Sequence, residues 1–399
     1  MHVAGLAAGV PRASRRREWR PPLSYEPGHL PYWLAFTRVP LVGRVRLPLL
    51  EELFGDLAAA WRATANELRA AGLDAKTVKS IDTTRETVDP MAELRAVESA
   101  GIRAITRHDP EYPALLQTIG DWPPVLFMRG GLSSQDERAV AVVGTRKPTA
   151  YGRQAAADLA GALACNGVTV VSGLARGIDG IAHRAALEAG GRTVAVMGSG
   201  PDVIYPPEHR GLAEEIAAKG AVISEHPLGT EPDACFFPRR NRILSGLSLG
   251  MLVVEAGDDS GALITVRAAL EQGRDVFCVP GSIYSPASTA TNALIREGAM
   301  LVTRVEDVLD ELRLLTAEQQ ARLPGLREPA EGAELAVLDA LTSEPTHADE
   351  LARRAGLPAG KAVSALVALE LKGLAKSVDR TSYVRAREAS TIYTASSNA

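Results

Sequence analysis

The stretch "AVAVVG", residues 139–144, sets five apolar side chains in an unbroken row and then a glycine. A strand with one wet face would alternate apolar and polar residues, so this row belongs to a strand covered on both sides. The signature returns as "VTVVSG" (168–173), "TVAVMGSG" (193–200), "AVISE" (221–225), "MLVVEA" (251–256) and "DVFCVPG" (275–281). Helical stretches such as "YGRQAAADLAGALACNG" (151–167) and "GIDGIAHRAALEAGG" (177–191) lie between them. Buried strands alternating with helices specify a doubly wound, mostly parallel α/β sheet of Rossmann-like type.

Outward from this block the character of the chain changes. Residues 1–29 read as a disordered leader: an export signal would place an apolar run after the arginines at 15–17, and Glu18, Arg20 and two prolines follow instead. Residues 30–100 read as a small helical module of SAM or helix-hairpin-helix-like type. In it, "LPLLEELFGDLAAAWRATANELRAAGL" puts Leu49, Leu50, Leu53, Phe54 and Leu57 on one face. The Rossmann-like domain spans 101–315, and its opening "ITRHDPEYPALLQTIGDWPPVLFMRG" (105–130) reads as a Pro-rich connector. A charged linker (316–332) leads to a winged helix (333–387) of three short helices and a two-strand segment, then to a polar tail (388–399).

The bulk numbers limit the function classes. Of the 399 residues 46% are apolar and 23% charged, a globular composition, and no run is long enough to cross a bilayer. The formal charge is −4, so attraction to a polyanion must come from a local patch. Cys165, Cys235 and Cys278 form no metal-ligating spacing and read as buried thiols in a reducing, cytoplasmic protein without metal or cofactor.

In an open parallel sheet, ligands bind beyond the carboxyl ends of the strands, so the residues closing each run carry the chemistry. "GTRKPTAYG" (144–152) offers Gly144, Thr145, Arg146 and Lys147. Arg146 stands where a dinucleotide fingerprint needs its second glycine, so an anion is favoured over a dinucleotide. "SGLARGIDGIAH" (172–183) adds Ser172, Gly173, Arg176 and Gly177 at a helix start. "FFPRRNR" (236–242) brings Phe237, Arg239, Arg240, Asn241 and Arg242 to the same rim, with Phe236 and Phe237 equal candidates to face a ligand. Arginines with an adjacent ring suit the phosphates and unpaired bases of a single strand. Other readings are tamer: Arg242 pairs with Glu225 or Glu255, and Asp179 with His183 forms a local i,i+4 pair. A Ser172–His183–Asp179 assembly lacks its nucleophile elbow, so no catalytic residue is assigned.

Together the motifs "GTRKPTAYG", "SGLARGIDGIAH", "VAVMGSGPDVIYPPEH", "SEHPLG", "FFPRRNRILSGLS", "VVEAGDDSGALITVRAALEQGRDVFCVPG" and "TNALIREGA" closely resemble the DNA-processing protein A family (DprA, or Smf). The resemblance implies a non-enzymatic protein that binds single-stranded DNA without sequence preference and forms homodimers. It implies loading of the RecA recombinase onto incoming strands in natural transformation. The sequence departs from the family pattern at Thr145, His209, Ala262 and Ala290. The module's "LVGRV" (41–45) lacks the second glycine of a helix-hairpin-helix, so no DNA contact is expected from it. The recognition-position helix "PAGKAVSALVALELKG" (358–373) lacks Arg, Asn and Gln and reads as a protein-contact surface. The competing expectation is a nucleotide phosphoribohydrolase, with Glu271 on the helix opened by "EAGDDSG" as its carboxylate.

Overall fold

The Val-rich runs form the centre of a nine-stranded sheet in the computed structural model, which describes residues 29–314, 332–342, 345–371, 374–378 and 381–385. The leader, most of the linker and the tail lie outside the described residues. Compact packing divides the chain into one unit ending at Leu312 and a second beginning at Arg313.

In the first unit the sheet strands are β1 (Arg103–Thr106), β2 (Val125–Gly130), β3 (Ala139–Val143), β4 (Thr169–Ser172), β5 (Thr193–Val196), β6 (Ala221–Ser224), β7 (Gly250–Val253), β8 (Asp275–Cys278) and β9 (Met300–Leu301). Their order is β1-β2-β6-β5-β4-β3-β7-β8-β9. From β6 to β9 all neighbours are parallel, while β2 joins β6, and β1 joins β2, antiparallel. Every residue of β3 through β7 is buried, as unbroken apolar rows require when helices cover both faces.

Two outer strands come from a stretch that reads as a connector. β1 and β2 enclose the prolines and glycine of residues 105–130, and pairing with β6 makes strands of segments whose local sequence signals turns. Tertiary pairing overrides local propensity at such edges.

The first unit's helices are α1 (Leu30–Thr37), α2 (Arg46–Phe54), α3 (Leu57–Arg62), α4 (Ala65–Ala70), α5 (Ala75–Arg85), α6 (Pro90–Ser99), α7 (Ala114–Gln117), α8 (Ala150–Cys165), α9 (Ile178–Glu188), α10 (Arg210–Lys219), α11 (Phe236–Gly246), α12 (Ala262–Glu271), α13 (Thr289–Arg296) and α14 (Val305–Glu311). Helices α1–α6 build the N-terminal module, whose starts are set by side-chain caps: Asp56 accepts from Ala59 N–H, Thr64 and Glu67 cap each other's backbone, and Asp74 accepts from Thr77 N–H. The expected single apolar face is broken at Gly55, which ends α2 at φ 82°. Leu47 and Leu50 are buried with Leu57, while Leu49 (40% exposed) and Leu53 (49%) point outward. The module's core, Trp33, Phe36 and Trp61 among it, runs on into Val125 and Phe127 of β2.

Of the cysteines only Cys278 is buried, its thiol pushed up to about 12 by burial; Cys165 and Cys235 are exposed, because each sits at a helix terminus rather than in the sheet. No helix is long and apolar enough to cross a membrane among the described residues.

The second unit holds α15 (Ala333–Ala340), α16 (Ala348–Arg354) and α17 (Ala359–Leu371), with strands β10 (Thr346–His347), β11 (Ala375–Ser377) and β12 (Ser382–Arg385). The expected two-strand wing gains a third member, because β10 pairs with β12 ahead of α16. On α17, Ala362, Ala365, Leu366 and Leu369 enter the core, and Lys361, Val363, Ser364, Val367 and Glu370 stay exposed. Among the described residues that face carries no arginine, asparagine or glutamine, the side chains whose planar groups read base edges bidentately.

Candidate nucleic-acid interface

The chain winds from β3 toward β6 and then crosses back to β7 on the other side of β3. At this switch point the loops after β3 and β7 diverge and leave a crevice at the carboxyl ends of the strands. The crevice is an open groove of about 770 Å³. Gly144, Thr145, Arg146 and Lys147 line it from the end of β3, Asp259 from the β7–α12 connection, Thr265 from the first turn of α12, and Phe237, Arg240 and Asn241 from α11.

The heptapeptide "FFPRRNR" is the first two turns of α11, not a rim loop. Pro238 is accommodated there because the first turn has no intrahelical partner for its missing N–H. Helical spacing then divides the side chains. Phe237, Arg240, Asn241 and Leu244, at i, i+3, i+4 and i+7, turn to the groove. Arg239 and Arg242, at i and i+3, face a separate cleft toward the helical module, and Phe236 lies against His226 with ring centroids 4.3 Å apart. Phe237 is thus the ring that meets the groove.

Arg146 and Lys147 are exposed. The Arg146 guanidinium stands 5.6 Å from the centroid of Phe237, and the ring of Tyr205 lies 5.7 Å from the same centroid. Tyr205, 37% exposed, is a groove residue that strand-end reading passed over. The available signal was an aromatic directly after the Val–Ile pair of "GSGPDVIYP", in a loop closing β5.

Several residues expected on the rim are instead built into its support. Arg240 is 4% exposed: Nη1 donates to the Gly173 carbonyl at 2.7 Å and to that of Val196. Burial pulls its guanidinium down to about 10, against the opposing pull of Asp179. Arg240 is therefore the floor of the groove. Asp179, raised by burial and held back by Arg240, accepts from the N–H groups of Gly173 (3.2 Å) and Ala175 (3.3 Å). The expected anion cradle of that loop is occupied by the chain's own carboxylate. Ser172 is fully buried and donates its hydroxyl to the Val142 carbonyl, which removes it from any ligand.

Arg176 lies outside the groove, ion-paired with Glu208, and Arg242 is buried between Glu225 and Asp121 (3.2 Å to Nε). Of the two acids that sequence offered Arg242, Glu225 is the partner. Glu255 instead accepts from the Thr149 N–H (2.8 Å) and hydroxyl (2.6 Å) at the start of α8. Gly144 and Gly177 serve loop packing. A Cβ on Gly177, at φ 81°, would lie 2.3 Å from the Thr145 carbonyl, so only glycine lets the β4–α9 loop close on the β3–α8 loop.

The Asp179–His183 pair does not form. His183 Nδ1 meets the Thr193 hydroxyl at 2.6 Å, so Ser172, His183 and Asp179 each have a different partner and make no triad. Glu271 is the last residue of α12 and exposed. That places it about 14 Å along the helix from the loop, too far for the hydrolase arrangement.

The model of the DNA recombination-mediator protein A family matches residues 103–313, the whole α/β sheet that carries the groove. The chain belongs to that family. The family's DprA winged-helix description also matches residues 321–379. Protein Smf of Synechocystis is 36% identical over 379 residues, covering 86% of this chain and 95% of the relative. The DNA processing protein DprA of Bacillus subtilis is 44% identical over 220 residues, 55% of this chain and 74% of the relative. The X-ray structure of DNA processing protein A from Streptococcus pneumoniae aligns with TM-score 0.62 and 37% identity over 70% of this chain and 96% of that one. As a member of the DNA recombination-mediator protein A family, the chain bears DNA-processing relatives along both units, with the sheet and the wing each matched separately.

Proposed function

We propose that the switch-point groove binds single-stranded DNA without sequence preference, and that the protein acts as a homodimer that delivers the strand to the RecA recombinase. The observation that carries the groove's role is the Arg146–Phe237–Tyr205 cluster, a free cation over an aromatic platform. A guanidinium binds phosphate by charge-assisted hydrogen bonds, and a ring beside it stacks on an unpaired base of any identity. Lys147 adds a second exposed cation. The groove also holds Asp179 and Asp259, so its field is modest and stacking carries much of the preference for unpaired strands. Homodimerisation and RecA delivery rest on the family resemblance.

Fluorescence anisotropy with a labelled 20-nucleotide oligothymidine tests the groove. Arg146→Ala should weaken binding about tenfold on all sequences and flatten the log K against log salt plot by roughly 0.7, the value for one phosphate on a single strand. Wild-type affinity in that variant would end the reading. RecA filament growth on oligonucleotides covered by a single-strand-binding protein should accelerate with the wild-type chain and fail to accelerate with Arg146→Ala.

A further inference from the structure

The first turn of α11 is a ridge between two concavities. On one side lies the groove with Phe237. On the other is a cleft of about 250 Å³ between the helical module and the sheet, lined by Arg44, Glu225, His226, Arg239 and Arg242 among others. The two sides repeat one another in kind: Arg146 beside Phe237, and Arg239 beside the Phe236–His226 pair.

The cleft has cations and donors that the fold does not use. Arg239 is exposed and forms no ion pair among the described residues. Arg44, on the module's 41–45 turn, is 45% exposed and among the described residues reaches only a distant carboxylate, Asp121 at 3.8 Å. Arg242, its side chain 8% exposed, satisfies Glu225 through Nη2 but leaves Nη1 buried without a hydrogen-bond partner among the described residues. His226 Nε2 is likewise buried and unpartnered. A buried donor without an acceptor costs about 1–3 kcal/mol, so such atoms mark places where a ligand's acceptors are favoured.

We propose that this cleft is a second subsite for the same single strand, in which Arg44 and Arg239 take a phosphodiester and Arg242 and His226 offer hydrogen bonds to the attached nucleotide. It rests on the reading of the first groove as a single-strand site. The strand crosses the ridge at Pro238, and the module, whose turn sequence gave no expectation of DNA contact, supplies one wall through Arg44. A helix is about 10 Å across and stacked nucleotides advance about 3.4 Å each, so roughly three nucleotides separate the subsites.

Oligothymidines of 3 and 20 nucleotides separate the outcomes, measured by anisotropy across salt concentrations on the full chain. Arg44→Ala and Arg239→Ala should each weaken the 20-mer about three- to tenfold and reduce its salt slope by roughly 0.7, while leaving the 3-mer, too short to reach both subsites, unchanged. Arg239→Lys should restore most of the 20-mer affinity, and thermal midpoints should stay at the wild-type value because both arginines are exposed. Wild-type affinity and slope for the 20-mer in both variants, with Arg146→Ala still defective, would overturn the second subsite and spare the first. Equal weakening of the 3-mer would also overturn it, since the effect would then not depend on reach. An Arg146→Ala variant with unaltered binding would instead remove the reading on which both subsites stand.

Discussion

Arg146 and Arg240 lie in one groove and do different work. Arg146 is exposed and able to leave its place over Phe237 for a phosphate, whereas Arg240 holds the carbonyls of Gly173 and Val196 and its charge offsets that of the buried Asp179. Losing Arg240 would strand a buried carboxylate, so Arg240→Ala should destabilise the fold by about 3 kcal/mol or more in urea unfolding, far beyond Arg146→Ala. Gly177→Ala combines a left-handed backbone with a Cβ 2.3 Å from the Thr145 carbonyl. A similar loss is expected of it, with both loops of the groove displaced.

His183 gives the fold a pH dependence. Burial, then the charges of His209 and Arg240, pull it down to about 3, while the unfolded chain titrates near 6.5. The folded protein thus excludes a proton that the unfolded chain accepts, and this contribution is complete above the unfolded value and lost as pH falls. Between pH 6.5 and 5 the loss should reach about 2 kcal/mol. Asp179, raised by burial, contributes in the opposite sense. Urea midpoints over that range should drop for the wild type and stay flat or rise for His183→Gln.

At the scale of elements, α11 shows why seven residues serve two surfaces. A period of 3.6 turns Phe237, Arg240 and Asn241 one way and Arg239 and Arg242 another. Phe237→Ala should therefore reduce single-strand affinity by about 1–3 kcal/mol, the worth of one stacked base, without altering the salt slope. A change in slope with retained affinity would place phosphate, not base, at this ring. The start of α8 depends on β7's last loop: Glu255 accepts twice from Thr149, and Thr149 accepts from the Gly152 N–H. Glu255→Gln keeps the volume but turns one acceptor into a donor, and about 2 kcal/mol of stability should go with it.

For the whole molecule, the negative formal charge removes long-range attraction to DNA and leaves binding to local cations. Salt slopes should therefore be shallow, about −1.4 from Arg146 and Lys147 and about −2.1 for a long oligothymidine that also places a phosphodiester between Arg44 and Arg239. A chain ending at residue 314, just past the first unit's boundary at Leu312, contains the groove in full. It should fold by itself and keep the affinity for the oligothymidine 20-mer. A tenfold loss would give the second unit a part in binding, which the composition of α17's outer face does not suggest.

Sequence determined the parallel sheet, since unbroken rows such as "AVAVVG" have no stable home except between two layers of helix, and it determined that Gly144, Thr145, Arg146 and Lys147 would close a central strand; which of Phe236 and Phe237 meets the groove it left open. Local pattern carries such information because burial and strand direction follow from neighbours in the chain. Tertiary structure alone decided which arginines stay free. The partners of Arg176, Arg240 and Arg242 lie between 17 and 121 residues away, and β1 and β2 exist as strands only because β6 offers an edge. A guanidinium looks the same in sequence whether a distant carbonyl or carboxylate has claimed it or water has.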